Sequence, residues 1–266
     1  MSGVKHIVFV TGANTGLGYE IVRALSQSPK PYEIIVGCRT VSKGEDAIKK
    51  IQSETKDSLS SMSTQQIDIA DDASIDKAFK DITEKYGKLD TLVNNAGGSF
   101  DNEVKPKGQM TLRESWNATY NLNTVSTHIV TSKFIPLLLA SQEPRLLFIT
   151  SGTSSLEETY NPKLPINPPV PAGWPKPESR KILGYRASKT GMNMVVRDWC
   201  RVLQNDPIKV LNISPGYLAT GLAGEDNAAM GAIDPSIGGN FVKDVIEGKR
   251  DADAGKVMRK DMIQPW

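Results

Sequence analysis

The sequence predicts an α/β protein: a doubly wound three-layer sandwich with a central parallel sheet. Short β-branched runs alternate with amphipathic helical patterns along most of the chain. The runs are apolar at successive positions, as strands covered on both faces must be. No Gly/Ser-rich linker or internal repeat divides the 266 residues, so the chain reads as a single domain spanning 1–266.

The elements follow in order. His6–Val10 is the first strand, and after a glycine-rich turn comes a helix with Ile21, Val22 and Leu25 on its apolar stripe. Residues 33–36 make a second strand and 63–69 a third, each followed by a helix. Ile75, Phe79, Ile82 and Tyr86 recur at helical spacing in the latter. Residues 89–94 form a fourth strand. A less regular stretch leads into a long helical pattern ending near Ala140, then a fifth strand at 146–150. A helix from Tyr185, with Met192, Val195, Val196, Trp199 and Leu203 as its core stripe, precedes a sixth strand at 209–214. Right-handed crossovers between parallel strands place helices on both faces. One segment breaks the pattern: 155–180 reads SLEETYNPKLPINPPVPAGWPKPESR, and its repeated prolines forbid a helix or central strand. It is an insertion, either a wall or lid near the site or a surface decoration.

Lys plus Arg number 32 against 30 Asp plus Glu with no dense basic block, so a nucleic-acid or anionic-membrane footprint is missing and a small-molecule partner is expected. Cys38 and Cys200 are far apart, which supports neither a disulfide framework nor a zinc site; no metal is expected. The N-terminal apolar run is about one strand long, too short for a signal or spanning segment. A cytoplasmic enzyme fits these readings.

Directly after the first strand comes TGANTGLG at 11–18. Glycines at a strand-to-helix turn let the backbone approach a pyrophosphate, which then lies on the helix N-terminus. Gly12, Gly16 and Gly18 are the candidates in this Rossmann-type arrangement, although their spacing departs from GxGxxG and a purely structural turn stays open. The second strand ends in Cys38 and Arg39. No carboxylate stands at Cys38 to take a ribose 2′-hydroxyl, whereas Arg39 can bind a 2′-phosphate, so NADP(H) is favoured over NAD. Lys43 is a second phosphate contact or plain helix surface. Further on, GYRASK sets Tyr185 and Lys189 four residues apart on one helix face, where an ammonium can lower a phenol pKa and make it a proton carrier. Taken alone, this spacing also fits the start of any amphipathic helix.

TGANTGLG, LVNNAG at 92–97, the serine closing LLFITS, YRASK, and NISPGYLAT at 212–220 occur in the order and approximate spacing of the classical short-chain dehydrogenases/reductases. The chain resembles that family from residue 6 onward, and with Arg39 and the insertion it is most similar to carbonyl-reductase-like members. The resemblance implies an NADP(H)-dependent oxidoreductase interconverting a carbonyl and an alcohol by hydride transfer. It implies Tyr185 as general acid/base, Lys189 as its partner on the nicotinamide ribose, Ser151 as holder of the substrate oxygen, with Thr150 beside it as rival, and Asn123 as support of a proton relay, with Asn121 nearby. It places the cofactor against Gly12, Asn14, Thr15, Gly16, Leu17 and Gly18 at the turn and against Asp68 and Ile69 at the adenine, Asp68 also suiting a helix N-cap. Asn95, Ala96 and Gly97 then line it, and Pro215, Gly216 and Thr220 back the nicotinamide. Two departures stand out. Thr15 replaces the basic residue that NADP users often carry, and the insertion separates Ser151 from Tyr185, which leaves monomer and homo-oligomer both open. A scaffold that binds NADP(H) without catalysis, and an isomerase or cyclase using the same pocket, are the alternatives. The Ala/Gly-rich stretch after Thr220 suits either a mobile loop over the substrate or a solvated connection.

Overall fold

The computed structural model describes residues 5–106, 108–176, 182–223 and 229–266. The strands are β1 (His6–Val10), β2 (Tyr32–Cys38), β3 (Ser61–Gln66), β4 (Thr91–Asn94), β5 (Arg145–Ile149), β6 (Lys209–Ile213), β7 (Val257–Met258) and β8 (Ile263–Gln264). The helices are α1 (Gly16–Ser26), α2 (Val41–Glu54), α3 (Asp72–Tyr86), α4 (Leu112–Tyr120), α5 (Ser126–Leu139), α6 (Leu183–Val202) and α7 (Pro235–Ile246). The strands form one eight-stranded sheet in the order β3-β2-β1-β4-β5-β6-β7-β8. Every neighbouring pair is parallel except β7 and β8, so the expected parallel sheet carries an antiparallel edge.

Strand alternation sorts the core into two layers. Ile7 and Phe9 of β1, with Leu146 and Phe148 of β5, face α3, α5 and α6, where Ile75, Ile82, Phe134 and Val196 complete one core. Val8 and Val10, with Leu147 and Leu211, face α1, α2 and α7, where Ile21, Leu25, Ile51 and Val242 complete the other. Phe134 sits 5.3 Å from the Phe9 ring and meets Phe79 edge-on at 5.6 Å. The two-sided burial is why the strands read as apolar runs. Because β1 lies between β2 and β4, the sheet order reverses there and leaves a crevice at the carboxyl ends of the strands.

Several boundaries differ from the sequence reading. β3 starts and ends earlier than 63–69, and its last rung is the Ile67 N–H bonded to the Cys38 carbonyl, after which the chain turns outward. The long helical pattern before Ala140 is three pieces: α4, a π-turn at Asn121–Val125, and α5. α4 opens on a capping box between Thr111 and Glu114. The described part of the proline-rich stretch holds a short 3₁₀ turn at Glu157–Tyr160 and irregular turns, with Tyr160 and Trp174 89% and 87% exposed. These rings face solvent. Its remaining residues, 177–180, lie outside the described residues, as do 224–228 of the Ala/Gly-rich stretch. Among the described residues no helix is long and apolar enough to cross a membrane.

Candidate active site

The glycine turn is built by backbone geometry. Gly12 and Gly16 have φ of +63° and +56°, a region that side chains bearing a Cβ avoid. Gly18 serves close packing: a Cβ there would lie 2.3 Å from the Gly12 carbonyl oxygen. Asn95 holds the turn from β4, donating from Nδ2 to the carbonyls of Thr11 (2.9 Å) and Gly12 (3.1 Å), while the Thr11 hydroxyl accepts the Ala96 N–H at 3.0 Å. Thr15 stands at the N-cap of α1 without capping it through its side chain, so the first-turn N–H groups have no side-chain acceptor there. They border a cleft of about 580 Å³ lined by Asn14, Thr15, Gly16, Lys43 and Thr220. This is the donor arrangement that a dinucleotide pyrophosphate requires, and the residues fit such a group.

Arg39 is exposed at the end of β2 and makes no side-chain bond or ion pair among the described residues, whereas Cys38 beside it is buried with its thiol turned to the Thr40 carbonyl. Arg39 is not among the residues bordering the cleft; Lys43 is. Asp68 does not cap α3. Its Oδ1 accepts the Ala70 N–H at 3.0 Å in a local turn, and Asp71 is the cap. Ile69 is buried beside it. Gly216, following Pro215, takes φ +106°, and the chain then brings Thr220 opposite Gly16.

At the carboxyl end of β5 the second group assembles. Lys189 is 5% exposed, donates from Nζ to the Ile149 carbonyl at 2.8 Å, and lies 6.0 Å from the centre of the Tyr185 ring. Burial draws its pKa down to about 8. Burial pushes the Tyr185 phenol up, and a bond from the Ser151 hydroxyl pulls it part of the way back. The depression by the Lys189 ammonium that the sequence suggests does not emerge: desolvation sets the direction, and the phenol lies above its ordinary range. Ser151 Oγ accepts the Thr153 N–H (3.2 Å) and shares a hydrogen bond with the Thr153 hydroxyl (3.0 Å). The adjacent Thr150 points away into the interior, its hydroxyl donating to Asn193 Oδ1 at 2.7 Å. Strand alternation therefore separates the two rival hydroxyls.

Asn123 is fully buried in the π-turn, whereas Asn121 is exposed. π-turns inside helices are frequent at functional sites because they re-aim a side chain. The Asn123 amide donates to the Gly98 carbonyl (2.7 Å) and the Ser188 hydroxyl (2.9 Å), and its oxygen accepts the Gly98 N–H (2.9 Å). A Cβ on Gly97 would stand 2.6 Å from Asn123 Oδ1 and 3.5 Å from Lys189 Nζ, so a side chain there would press on both groups. Sequence reasoning missed Asp101, Thr153, Ser188 and Asn193. Of these Asp101 reaches farthest: its carboxylate accepts the backbone N–H groups of Gly184 and Tyr185, both at 2.9 Å. The available signal was negative, since no Ser, Thr, Asp or Asn precedes Leu183 directly. Among the described residues no cluster of three or more His, Cys, Asp or Glu could hold a metal.

A family model for short chain dehydrogenases matches residues 6–161. The chain is 48% identical to the short-chain dehydrogenase/reductase eupG of Phoma sp, covering 100% of this chain and 99% of that one. It is 42% identical to the short-chain dehydrogenase/reductase tropE of Talaromyces stipitatus, with 98% of each covered. In fold it is similar to an NADPH-bound carbonyl reductase from chicken fatty liver, with TM-score 0.76 and 22% identity over 99% of this chain and 100% of that one. Carbonyl reductase Sniffer of D. melanogaster gives TM-score 0.75 at 20% identity, with the same coverage. On the family match and the full-length relatives, the chain belongs to the short-chain dehydrogenases/reductases, oxidoreductases that use nicotinamide cofactors.

Proposed function

We propose that this chain, acting as one catalytic domain in the cytoplasm, is an NADP(H)-dependent carbonyl reductase-like enzyme interconverting a ketone or aldehyde with its alcohol. The observation that carries the reading is the convergence of the Tyr185 phenol, the Ser151 hydroxyl and the buried Lys189 ammonium at the end of β5. When bound, the nicotinamide supplies the hydride. Tyr185, held protonated by burial, delivers the proton to the carbonyl oxygen, and Ser151 hydrogen-bonds that oxygen as charge develops. Among the described residues Lys189 has one oxygen acceptor, Ile149, which leaves it donors for a ribose hydroxyl and a charge that stabilises the phenolate left after proton transfer. Both N–H groups and the oxygen of the Asn123 amide are engaged, so its support for proton movement runs through the residues it holds, Gly98 and Ser188.

The pyrophosphate would rest on Gly12, Asn14, Thr15, Gly16, Leu17 and Gly18. Asp68 and Ile69 serve the adenine, Asn95, Ala96 and Gly97 the ribose side, and Pro215, Gly216 and Thr220 the nicotinamide. Arg39, with no partner of its own among the described residues, and Lys43 at the cleft support the phosphorylated cofactor. The two cysteines, both free thiols, agree with a reducing compartment. The test is a panel of ketones and aldehydes followed by NADPH consumption. Tyr185→Phe should lower turnover by at least about 100-fold while keeping cofactor affinity. Near-wild-type turnover in that variant, or product formed without NADPH consumption, would overturn the reading.

A further inference from the structure

Helix α6 carries Tyr185 in its first turn, where a helix is least secure, since its leading N–H groups have no intrahelical acceptors. The residue at its N-cap is Ile182, whose side chain can accept nothing. The acceptor comes instead from 83 and 84 residues earlier in the chain: Asp101 Oδ1 takes the Gly184 N–H and Oδ2 the Tyr185 N–H. Counting from Leu183 as the first helical residue, these are the second and third N–H groups, the pair that a local cap normally satisfies. A carboxylate at that end also complements the helix dipole.

The approach is close enough to dictate a neighbouring residue. A Cβ on Gly184 would fall 2.8 Å from Asp101 Oδ1. Gly184 does not have positive φ, so the glycine is explained by the carboxylate and not by backbone conformation. Asp101 itself stands on a fixed base. The Ser99 hydroxyl donates to it at 2.8 Å, the Phe100 N–H donates to Thr119 Oγ1 at 3.2 Å, and the Ser115 hydroxyl donates to the Phe100 carbonyl at 2.7 Å. One residue before Ser99, the Gly98 N–H and carbonyl are both bonded by Asn123. Residues 97–101 thus form a strap from the Asn95–Gly97 motif to the main chain of Tyr185.

We infer that Asp101 is a positioning residue for the reaction: it caps the catalytic helix from outside and fixes the place of Tyr185 relative to Ser151. The inference rests on the reading of Tyr185 as proton donor. A merely structural Asp101 would, when removed, lower stability, cofactor affinity and turnover together. A positioning Asp101 acts on the proton-transfer geometry, where small displacements are costly, so Asp101→Ala should lower kcat by about 10- to 100-fold with NADPH affinity changed by no more than about twofold. The solvent deuterium isotope effect on kcat should rise as proton delivery becomes more limiting, and Asp101→Asn, which keeps one acceptor oxygen, should recover part of the loss. Gly184→Ala separates the two roles. It keeps Asp101 in the chain but drives the carboxylate off its amides, so kcat should fall as in Asp101→Ala while NADPH affinity changes by no more than about twofold.

The experiment uses the full chain with Tyr185→Phe as control. It measures NADPH binding by fluorescence, reduction of 4-nitrobenzaldehyde, thermal melting, and hydrogen exchange of the Gly184 and Tyr185 amides. Faster exchange at those two amides with selective loss of kcat supports the inference. If Asp101→Ala and Gly184→Ala reduce the aldehyde like the wild type while Tyr185→Phe is inactive, the positioning role is wrong and the proton-donor reading stands. If Tyr185→Phe is itself active, the proton-donor reading fails, and the positioning role with it.

Discussion

Lys189→Met should make the cofactor-free protein at least as stable as the wild type while abolishing carbonyl reduction. Lys189 is 5% exposed, and burial brings its pKa from 10.5 to about 8, a penalty of about 3 kcal/mol on the charged form. Against this stands the ammonium's bond to the Ile149 carbonyl, whose loss costs about 1.5–3 kcal/mol. Methionine is unbranched and fills the same channel beside Met192, so the net change at pH 7 is a gain of about 0–2 kcal/mol. The sign of the pH dependence follows from the depressed pKa. Between about 8 and 10.5 the unfolded chain holds a proton on Lys189 that the folded chain lacks, so wild-type stability rises with pH across that window. The variant has no such group, and its advantage should shrink by about 1.4 kcal/mol between pH 7 and pH 9. Urea denaturation of both proteins at the two pH values measures this. A difference that does not change with pH, or a variant less stable by more than about 2 kcal/mol at pH 7, refutes the account of Lys189 as a buried charge retained for the reaction.

Arg39→Ala should weaken NADPH binding by about 10- to 150-fold, the loss of one charge-assisted contact, and leave NADH nearly unchanged; equal effects in titrations of the two cofactors would rule out 2′-phosphate recognition there. His6, whose pKa burial lowers to about 4 against an upward pull from Asp90, folds neutral, so its contribution to stability is complete above 6.5 and is lost as pH falls from 6.5 towards 4. His6→Phe should remove about 2–3 kcal/mol of that acid sensitivity in denaturation midpoints collected across the window, and an unaltered slope would exclude His6 as its source.

The central strands were legible because both faces are covered: in β1, Ile7 and Phe9 enter one layer and Val8 and Val10 the other, whereas β3 at the sheet edge, SMSTQQ, is half-buried and its bounds were misread. β7 and β8, at two residues each, are too short to produce a pattern, and the antiparallel edge they form went unread. α4 carried its own signal, Thr111 and Glu114 three residues apart, but it was absorbed into one long helical pattern that the π-turn divides. At the site, the spacing of Tyr185 and Lys189 could be read as one helix face, yet the atom that holds Lys189 is a main-chain carbonyl of β5, invisible to residue identity. The different directions of Ser151 and Thr150 needed the strand's pleat to be seen, and the burial of Asn123 but not Asn121 needed the irregular turn. Asp101 was beyond reach, because a cap supplied across 84 residues leaves no local pattern.

The inner face of α6 shows what this arrangement asks of the fold. Ser188, Lys189 and Asn193 are buried on a helix whose neighbouring Met192 and Val196 belong to the apolar core. Asn193 accepts from the Thr150 hydroxyl (2.7 Å) and the Asn212 amide of β6 (3.0 Å), and donates to the Ser154 hydroxyl (2.9 Å). Ser154 in turn donates to the Ser151 carbonyl at 2.6 Å. Apolar side chains of equal volume would avoid the desolvation of all these groups. They could not hold Ser151 in register with a helix, because dispersion contacts are not directional whereas a connected polar network permits few arrangements. The serine therefore owes its place to a buried network joining β5, β6 and α6, and the tyrosine on that helix owes its place to Asp101. The proline-rich stretch is tied to the C-terminal segment by Ser155 and Glu157, which donate to the Trp266 carbonyl, and by the Glu158–Arg259 ion pair, and to α6 by Arg186, which donates to Asn167. The rings of Tyr160 and Trp174 stand in solvent away from these ties, so changes in them should leave the geometry of Tyr185 and Ser151 intact.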